Sequence, residues 1–444
     1  MSLAERFDRH LAKMNLPPGP ALVAVSGGSD SIALLDLLTH SRVAASLELH
    51  VAHLDHGISP DSATAADQVR ALSERYTLPF RLGRLELGSG ATETAARAAR
   101  YAWLHRQADE LAAELIITAH HRDDQVETVL MRILNGSGPA GLAGMAPRAG
   151  RIARPLLPFG REELNHHVHS RGLTPWDDPA NRDLRHLRVW IRVELLPALR
   201  ERIPEVDRRL LSLARQAAAE RQAWEELLEH SPALEFRSEH DGVSVAASPL
   251  QGYHSGAVRA LLGALGRRAG CLVGPMRATR IERLLAGGRS GAIVQLGQGC
   301  AVELSFGRLR LFREGRKEGG HLGWEPLSIQ GETGNLMAGD WHLSWSEENA
   351  PDRLERNASW SWFAPGNYRV RPWQPGDRVR PIGGKGRRLV VRCMQDARIA
   401  RHERSSWPVV EAGETIVWIP GVCRSAEHLP APGTPALRID AHHR

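Results

Sequence analysis

Two short polar runs in this chain could do chemistry. The first is Ser26-Gly27-Gly28-Ser29-Asp30-Ser31. It follows an apolar run at 21–25 and precedes the amphipathic pattern of Ile32, Leu34, Leu35, Leu37 and Leu38. A continuous apolar run reads as a parallel strand buried on both faces. A glycine turn between such a strand and a helix offers unpaired N–H groups and the positive end of the helix dipole to an anion. Ser29 and Asp30 stand where helix N-caps are expected, and Gly27 and Gly28 permit positive φ and close backbone approach. Phosphate or pyrophosphate is the guest that suits this turn. The chain has no G-x-x-x-x-G-K-[ST], which excludes a P-loop NTPase. The second run is His120-His121-Arg122-Asp123-Asp124-Gln125-Val126-Glu127-Thr128. On a helix starting near Asp123, Asp124 and Glu127 stand three apart on one face. Such a pair holds a cation, either a metal ion or an amine. Acids in a first turn also serve simply to complement the helix dipole.

The elements that must position these runs alternate in type. Residues 47–55, 79–85 and 115–118 read as strands; 61–76, 92–114 and 123–134 read as helices. Repeated β-α units of this length imply an α/β fold with a doubly wound parallel sheet and a ligand at the strands' C-terminal ends. The polar runs at 26–31, 53–56 and 120–127 all follow strands, so they converge on one rim. Helices are expected at 161–171, 187–199, 204–230, 255–268 and 276–285. A hairpin of 292–296 with 301–312 turns around 297–299. Residues 314–323 read as a linker. Beyond it, 341–345, 368–373, 389–393 and 415–419 read as short strands, and 395–404 as a helix. The expected domains are a catalytic unit at 1–204, a small α+β unit at 205–315 and a strand-rich α+β unit at 316–444.

Length and composition agree with this division. A chain of 444 residues is too long for one core. Its 42% hydrophobic and 24% charged content is that of a globular protein. No apolar run is long enough to span a bilayer, and the first twenty residues lack a signal-peptide core, so a cytoplasmic protein without membrane contact is expected. The four cysteines, Cys271, Cys300, Cys393 and Cys423, include no C-x-x-C pair, which argues against a zinc site or a disulfide framework. The formal charge of +6 is concentrated. Between Arg369 and Arg404, eleven basic residues stand against Asp377, Asp396 and Glu403, leaving the rest of the chain near neutral. Ten of the eleven are Arg, whose planar fork suits phosphate.

The first run resembles the S-G-G-x-D-S loop of the N-type ATP pyrophosphatases, the PP-loop superfamily. With A-H-H-x-D-D-Q-x-E-T at 119–128, followed by Gly136-Ser137-Gly138 and Gly141-Leu142-Ala143-Gly144-Met145, the chain resembles the tRNA(Ile)-lysidine synthetases. Matching segments continue in order. They are His53-Leu54-Asp55-His56-Gly57, Ala95-Ala96-Arg97-Ala98-Ala99-Arg100-Tyr101, Gly172-Leu173 with Asp178-Pro179-Ala180-Asn181-Arg182-Asp183, and Leu195-Leu196-Pro197. Far downstream, Pro375-Gly376-Asp377-Arg378-Val379-Arg380-Pro381 and Ile416-Val417-Trp418-Ile419-Pro420-Gly421 are similar to that family's tRNA-contacting C-terminal domain.

The resemblance implies a ligase that adenylates the first-anticodon cytidine of a tRNA(Ile) with a CAU anticodon. Pyrophosphate leaves, and the ε-amine of free L-lysine then displaces AMP. It implies ATP held by Ser26, Gly27, Gly28, Ser29, Asp30 and Ser31 together with His53 and Asp55, and Mg²⁺ on Asp30. Arg100 and Arg192 would stabilise phosphate charge or orient the base. Asp124 and Glu127 would hold the ammonium group and, with His120, take up its proton. Two positions depart from the family pattern: Arg188-Val189-Trp190-Ile191-Arg192 lacks the Asn of R-N-x-I-R, and Ser59 stands where a basic residue often follows H-x-D-H-G.

Other readings are a different PP-loop enzyme, such as a tRNA thiolase or an amide-forming synthetase, and a catalytically silent tRNA-binding homologue. The absence of cysteine before Cys271 weighs against sulfur transfer, and no glutaminase segment is visible. The oligomeric state stays open, a dimer included. The G-x-G-x-x-G at 136–141 follows a helix rather than a strand, which disfavours a dinucleotide site. The histidines of Asn165-His166-His167-Val168-His169 read as solvent-facing.

Overall fold

Ala21, Leu22 and Val23 lose all contact with solvent, as do Ile116 and Ile117, because both segments are inner strands of one sheet. The structure, a computed structural model, describes residues 1–55, 62–85, 93–176, 186–239, 241–313, 324–352, 359–404 and 406–443. It divides into two units, Met1–Ala223 and Trp224–Arg444. The expected linker at 314–323, His56 and Gly57, Ser59, and the segment 178–183 lie outside the described residues.

In the first unit the elements run α1 (Leu3–Lys13), β1 (Gly19–Ala24), α2 (Ser29–His40), β2 (Leu47–Asp55), α3 (Ser62–Arg75), β3 (Phe80–Arg84), α4 (Glu93–Glu110), β4 (Leu115–Ile117), α5 (Arg122–Leu134), β5 (Arg148–Ala149), β6 (Ile152–Ala153) and α6 (Arg161–Ser170). The sheet order is β3-β2-β1-β4-β6-β5. β1 pairs parallel with both β2 and β4, β2 with β3, and β4 with β6. Among the described residues only the β5–β6 hairpin is antiparallel in this sheet. The expected α/β fold is therefore present. Its sheet gains a two-residue hairpin too short to read from periodicity, and the unit gains α1, which the sequence pattern does not announce. α1 is set by a capping box between Ser2 and Glu5 and by burial of Phe7 and Leu11.

Helices α2 and α6 meet across a buried polar cluster. Asp36 is 2% exposed. It accepts hydrogen bonds from the Tyr76 hydroxyl (2.6 Å) and from His167 Nε2 (2.8 Å), with Arg171 Nε at 3.3 Å. His167 thus turns inward, correcting the solvent-facing expectation; His166 and His169 are exposed as expected. Burial alone would raise the Asp36 pKa, but the hydrogen bonds from His167 and Tyr76 and the Arg171 charge hold it at about 2. A depressed carboxylate pKa stabilises the fold above the unfolded value and loses that contribution as pH falls through the folded value. Asp36→Asn is therefore expected to cost about 2 kcal/mol at neutral pH and to flatten the acid limb of the stability curve between roughly pH 4 and 2. Urea unfolding at a series of pH values checks this.

Beyond α6 come α7 (Leu187–Trp190), a π-helical turn (Ile191–Leu195), α8 (Leu196–Arg202) and α9 (Val206–His230). The widened turn has a local cause. Pro197 has no N–H to return to the carbonyl four residues back, so the ladder is interrupted there. Val126, Leu130, Ile191 and Leu196 form a small core behind α5, with Leu210 and Leu211 of α9 packed against it.

The second unit holds two further layers. A five-stranded sheet of β7 (Arg237–Glu239), β8 (Gly242–Ala246), β9 (Ala292–Gly297), β10 (Cys300–Ser305) and β11 (Arg308–Arg313) packs on helices Ser255–Arg268 and Pro275–Gly287. The expected single strand at 301–312 is two, because the chain turns at Phe306 and Gly307, both at positive φ. Cys271 and Cys300 are joined as a disulfide within this core, correcting the expectation of none. Past residue 324, a seven-stranded and a four-stranded sheet enclose Trp341, Trp345 and Trp418. The stretch expected as a strand at 389–393 is mostly the helix Val390–Asp396. Its buried residues, Val390, Cys393 and Met394, follow helical spacing. The helix expected at 395–404 is interrupted at Arg398 (φ 58°) and resumes only over Arg401–Arg404.

Candidate active site

The turn after β1 closes on itself. Ser31 Oγ donates to Gly28 O (2.8 Å) and lies 3.2 Å from Ser26 N and 3.3 Å from Ser26 Oγ. Gly27 has φ 91°, a left-handed conformation that L side chains avoid. Gly28 does not share it: at φ −71° it is itself the N-cap of α2, which moves Ser29 and Asp30 into the first turn. Among the described residues no side chain caps this helix, so none of them competes with an anion for its first-turn N–H groups. Ser29 Oγ donates to Asn165 Oδ1 on α6 (2.5 Å). His53, at the end of β2, is buried, and its Nδ1 lies 2.9 Å from Val25 O, tying the second strand end to the first. Burial lowers the His53 pKa, against the hydrogen bond to Val25 and the charge of Asp55. Asp55 closes the same strand and is buried, with Arg84 Nε at 3.9 Å.

The acidic helix stands beside this turn, and His121 joins the two. Fully buried, it caps α5, with Nδ1 3.2 Å from Asp123 N; Asp124 Oδ2 completes the capping box on His121 N (3.1 Å). Its Nε2 lies 3.2 Å from Asp30 Oδ2 and 3.4 Å from Asp124 Oδ2. Burial pulls its pKa down, but hydrogen bonds with Asp123 and Asp30 and the charge of Asp124 push it up to about 9. Arg161 Nη2 approaches His121 Nε2 (3.3 Å) and Asp30 Oδ2 (4.0 Å). The other oxygen of Asp30, Oδ1, is buried without a hydrogen-bond partner among the described residues.

Asp124 and Glu127 share the expected face, and both are held by arginines. Arg192 grips Glu127 with two bonds, Nε to Oε1 (2.6 Å) and Nη2 to Oε2 (2.9 Å). Arg188, one helical turn earlier, donates from Nε to Glu127 Oε2 (2.9 Å) and from Nη2 to Asp124 Oδ1 (2.9 Å). Glu127 is 1% exposed. The family resemblance suggests Arg192 for phosphate or base; the structure puts it on the acidic pair. Arg100 lies on α4 with its guanidinium 5.7 Å from the Tyr101 ring centroid. His120, partly buried, has Nδ1 2.9 Å from Thr118 Oγ1. Burial, reinforced by the charges of Arg154, Arg97 and Arg188 and opposed by that of Asp124, lowers its pKa to about 3. It is a neutral imidazole at physiological pH.

With this geometry in hand, comparison with known proteins is specific. A model of the PP-loop domain matches residues 3–199, and a model of the TilS substrate C-terminal domain matches residues 368–441. The tRNA(Ile)-lysidine synthase of Symbiobacterium thermophilum is 36% identical over an alignment covering all of this chain and 98% of that protein. The chain belongs to the tRNA(Ile)-lysidine synthase family. The tRNA(Ile)-lysidine synthase of Geobacter sulfurreducens is 31% identical over 93% of this chain and 90% of that protein. That of Alkalilimnicola ehrlichii is 31% identical over 97% and 95%.

Within this family member, reasoning from sequence includes His121 in the second polar run without giving it a role, gives Arg188 none, and does not point to Arg154 or Arg161. His121 carries a usable signal: a polar residue directly before a helix whose third residue is acidic is a capping-box pattern. Arg188 and Arg192, four apart, carry another, since they must share a helix face. Nothing local marks Arg154 or Arg161.

Proposed function

We propose that this chain is a tRNA(Ile)-lysidine synthetase. In this reading it uses ATP to adenylate the carbon-2 oxygen of the first-anticodon cytidine in a CAU-anticodon tRNA(Ile). Free L-lysine then replaces AMP at that carbon. The supporting observation is the single rim on which His121 bridges Asp30, at the phosphate-binding turn, and Asp124, at the acidic pair. A lone phosphate turn would serve any PP-loop enzyme; one set against a buried carboxylate pair suits an incoming amine.

The roles follow from the chemistry of each group. The first-turn N–H groups of α2 and the Ser26–Ser31 loop take the departing pyrophosphate. Asp30 fits Mg²⁺, because its buried Oδ1 has no partner among the described residues. Among the described residues no group of three or more His, Cys, Asp or Glu forms a closed metal cage. One carboxylate plus substrate phosphates and waters is the usual Mg²⁺ arrangement, and the ion there would neutralise phosphate charge. Asp124 and Glu127 receive the ε-ammonium group, which exchanges one guanidinium contact for another charge-assisted bond. His120, kept neutral, has a lone pair available for the proton the amine must shed before it attacks. Arg100 faces the base or its phosphate from α4.

The basic segment is the proposed tRNA contact, though not all of it is available. Arg369 and Arg371 are paired with Glu411, Arg371 also with Asp377, and buried Arg404 donates twice to Ile399 O. Arg378, Arg380, Lys385 and Arg392 are exposed or partly exposed. Replacing these four with Gln is expected to reduce the slope of log affinity against log salt by roughly 0.7–0.9 for each phosphate no longer neutralised. An unchanged slope in filter binding would remove this surface from the interface. Among the described residues no helix is long and apolar enough to cross a membrane, and a tRNA substrate argues for the cytoplasm.

The deciding assay supplies ATP, Mg²⁺, labelled lysine and a CAU-anticodon tRNA(Ile) transcript. Lysine incorporation is expected. Pyrophosphate release without incorporation would retain the PP-loop chemistry and reject the lysidine reading.

A further inference from the structure

We propose that Arg154 and Arg97 form a further anion subsite, for a phosphate group, at the rim beside His120. This rests on the synthetase reading only for the source of the phosphate. Arg154 directly follows β6, at the C-terminal end of a parallel strand, and is 8% exposed. Its backbone is locked, since the preceding residue's carbonyl, Ala153 O, accepts from Thr118 N (2.9 Å), two residues before His120. Its side chain donates from Nη1 to Ala146 O (2.8 Å) and bonds the Tyr101 hydroxyl, while Nε is buried with no partner among the described residues. Among the described residues no carboxylate lies within ion-pair distance of Arg154 or of Arg97. Arg97 stands one turn before Tyr101 on α4, its guanidinium 5.2 Å from that ring's centroid. The charges of both arginines act on His120.

A buried guanidinium without counter-charge is costly, and of the other buried arginines Arg310 meets that cost with carboxylates, while Arg404 and Arg424 rely on backbone carbonyls, Arg404 on Ile399 O alone. Arg310 is paired with Glu239 and Asp241. Arg424 donates to the carbonyls of Val417, Ser425, Glu427, Trp362 and His428. Arg154 has one carbonyl and one phenol. Among the described residues it has no anion, and Arg97 over the Tyr101 ring together with Arg154 on that residue's hydroxyl offers the planar, forked donors that phosphate oxygens accept. Two sources fit the reaction: a phosphate of ATP, or a backbone phosphate of the tRNA beside the target cytidine.

The test compares full-length wild type, Arg154→Met, Arg154→Lys and Arg97→Met. One arm titrates α,β-methylene-ATP without tRNA; the other measures binding of the CAU-anticodon tRNA(Ile) transcript across a salt series. Arg154→Met is expected to weaken one of the two ligands at least tenfold, with Arg154→Lys recovering part of the loss and Arg97→Met losing at least threefold for the same ligand. Loss confined to the nucleotide assigns the subsite to ATP. Loss confined to tRNA, with a shallower salt slope, assigns it to the backbone. Should Arg154→Met not fold, Arg97→Met carries the comparison alone. Affinities for both ligands within twofold of wild type would overturn the subsite. Lysine incorporation by the wild-type chain is measured in parallel, so that failure of the synthetase reading is seen separately.

Discussion

Glu127→Gln is expected to separate the two halves of the reaction. Lysine transfer should fall by about 10²- to 10³-fold, the scale for removing one preorganised charge that holds the reacting amine, while tRNA-dependent pyrophosphate release stays within about threefold. The asymmetry follows from the geometry. Glu127 touches Arg188 and Arg192, whereas the phosphate turn reaches α5 through His121, Asp30 and Asp124. The same variant has a structural cost. Two partly buried guanidinium groups lose a formal counter-charge; breaking a buried pair this way costs roughly 3–5 kcal/mol, and the lower end applies because Gln keeps an acceptor oxygen and both arginines keep some solvent. Rapid-quench measurement of pyrophosphate and of labelled lysine in one experiment gives both rates, and denaturant unfolding gives the stability. Equal losses in the two rates would mean that Glu127 supports the whole rim rather than the amine.

Asp30→Asn is expected to act on the other half. Pyrophosphate release should drop by about 10²- to 10³-fold, the scale for removing one preorganised electrostatic group from a transition state. Raising Mg²⁺ should not restore it, since an amide oxygen is a poorer ligand than the carboxylate it replaces. Affinity for tRNA should be unaltered, because the residues proposed to contact it, Arg378, Arg380, Lys385 and Arg392, are all elsewhere in the chain. Retained pyrophosphate release in this variant would exclude Asp30 from the phosphate end of the site.

The parts of the site legible in the sequence are those where one short run of residues carries the whole signal. Ser26–Ser31 needs only a strand before it and a helix after it, and Asp124 with Glu127 needs only the helical repeat. His121 is harder to assign, because its bond to Asp30 arises from parallel pairing of β1 with β4, which brings together residues far apart in the chain. Arg192 is legible as a candidate but not as a partner of Glu127, since nothing in a sequence orients a side chain across 65 positions. The differences in the fold have similar origins. Residues 389–393 are too few for periodicity to separate strand from helix, and the β5–β6 hairpin is shorter than any repeat. Cys271 and Cys300 are brought together by the packing of a helix end on β10, which their spacing does not announce.

The small core behind α5 bears on how this protein can be taken apart. A fragment stopping at residue 204 would contain every residue of the phosphate turn and the acidic helix, yet it would lack Leu210 and Leu211. Those side chains cover the apolar flank formed by Val126, Leu130, Ile191 and Leu196. Exposed to water, that flank would favour association between fragments over a rigid α5. The shortest self-sufficient piece therefore runs well into α9, and a protease cutting before residue 210 would be expected to release material that precipitates rather than an active half-enzyme.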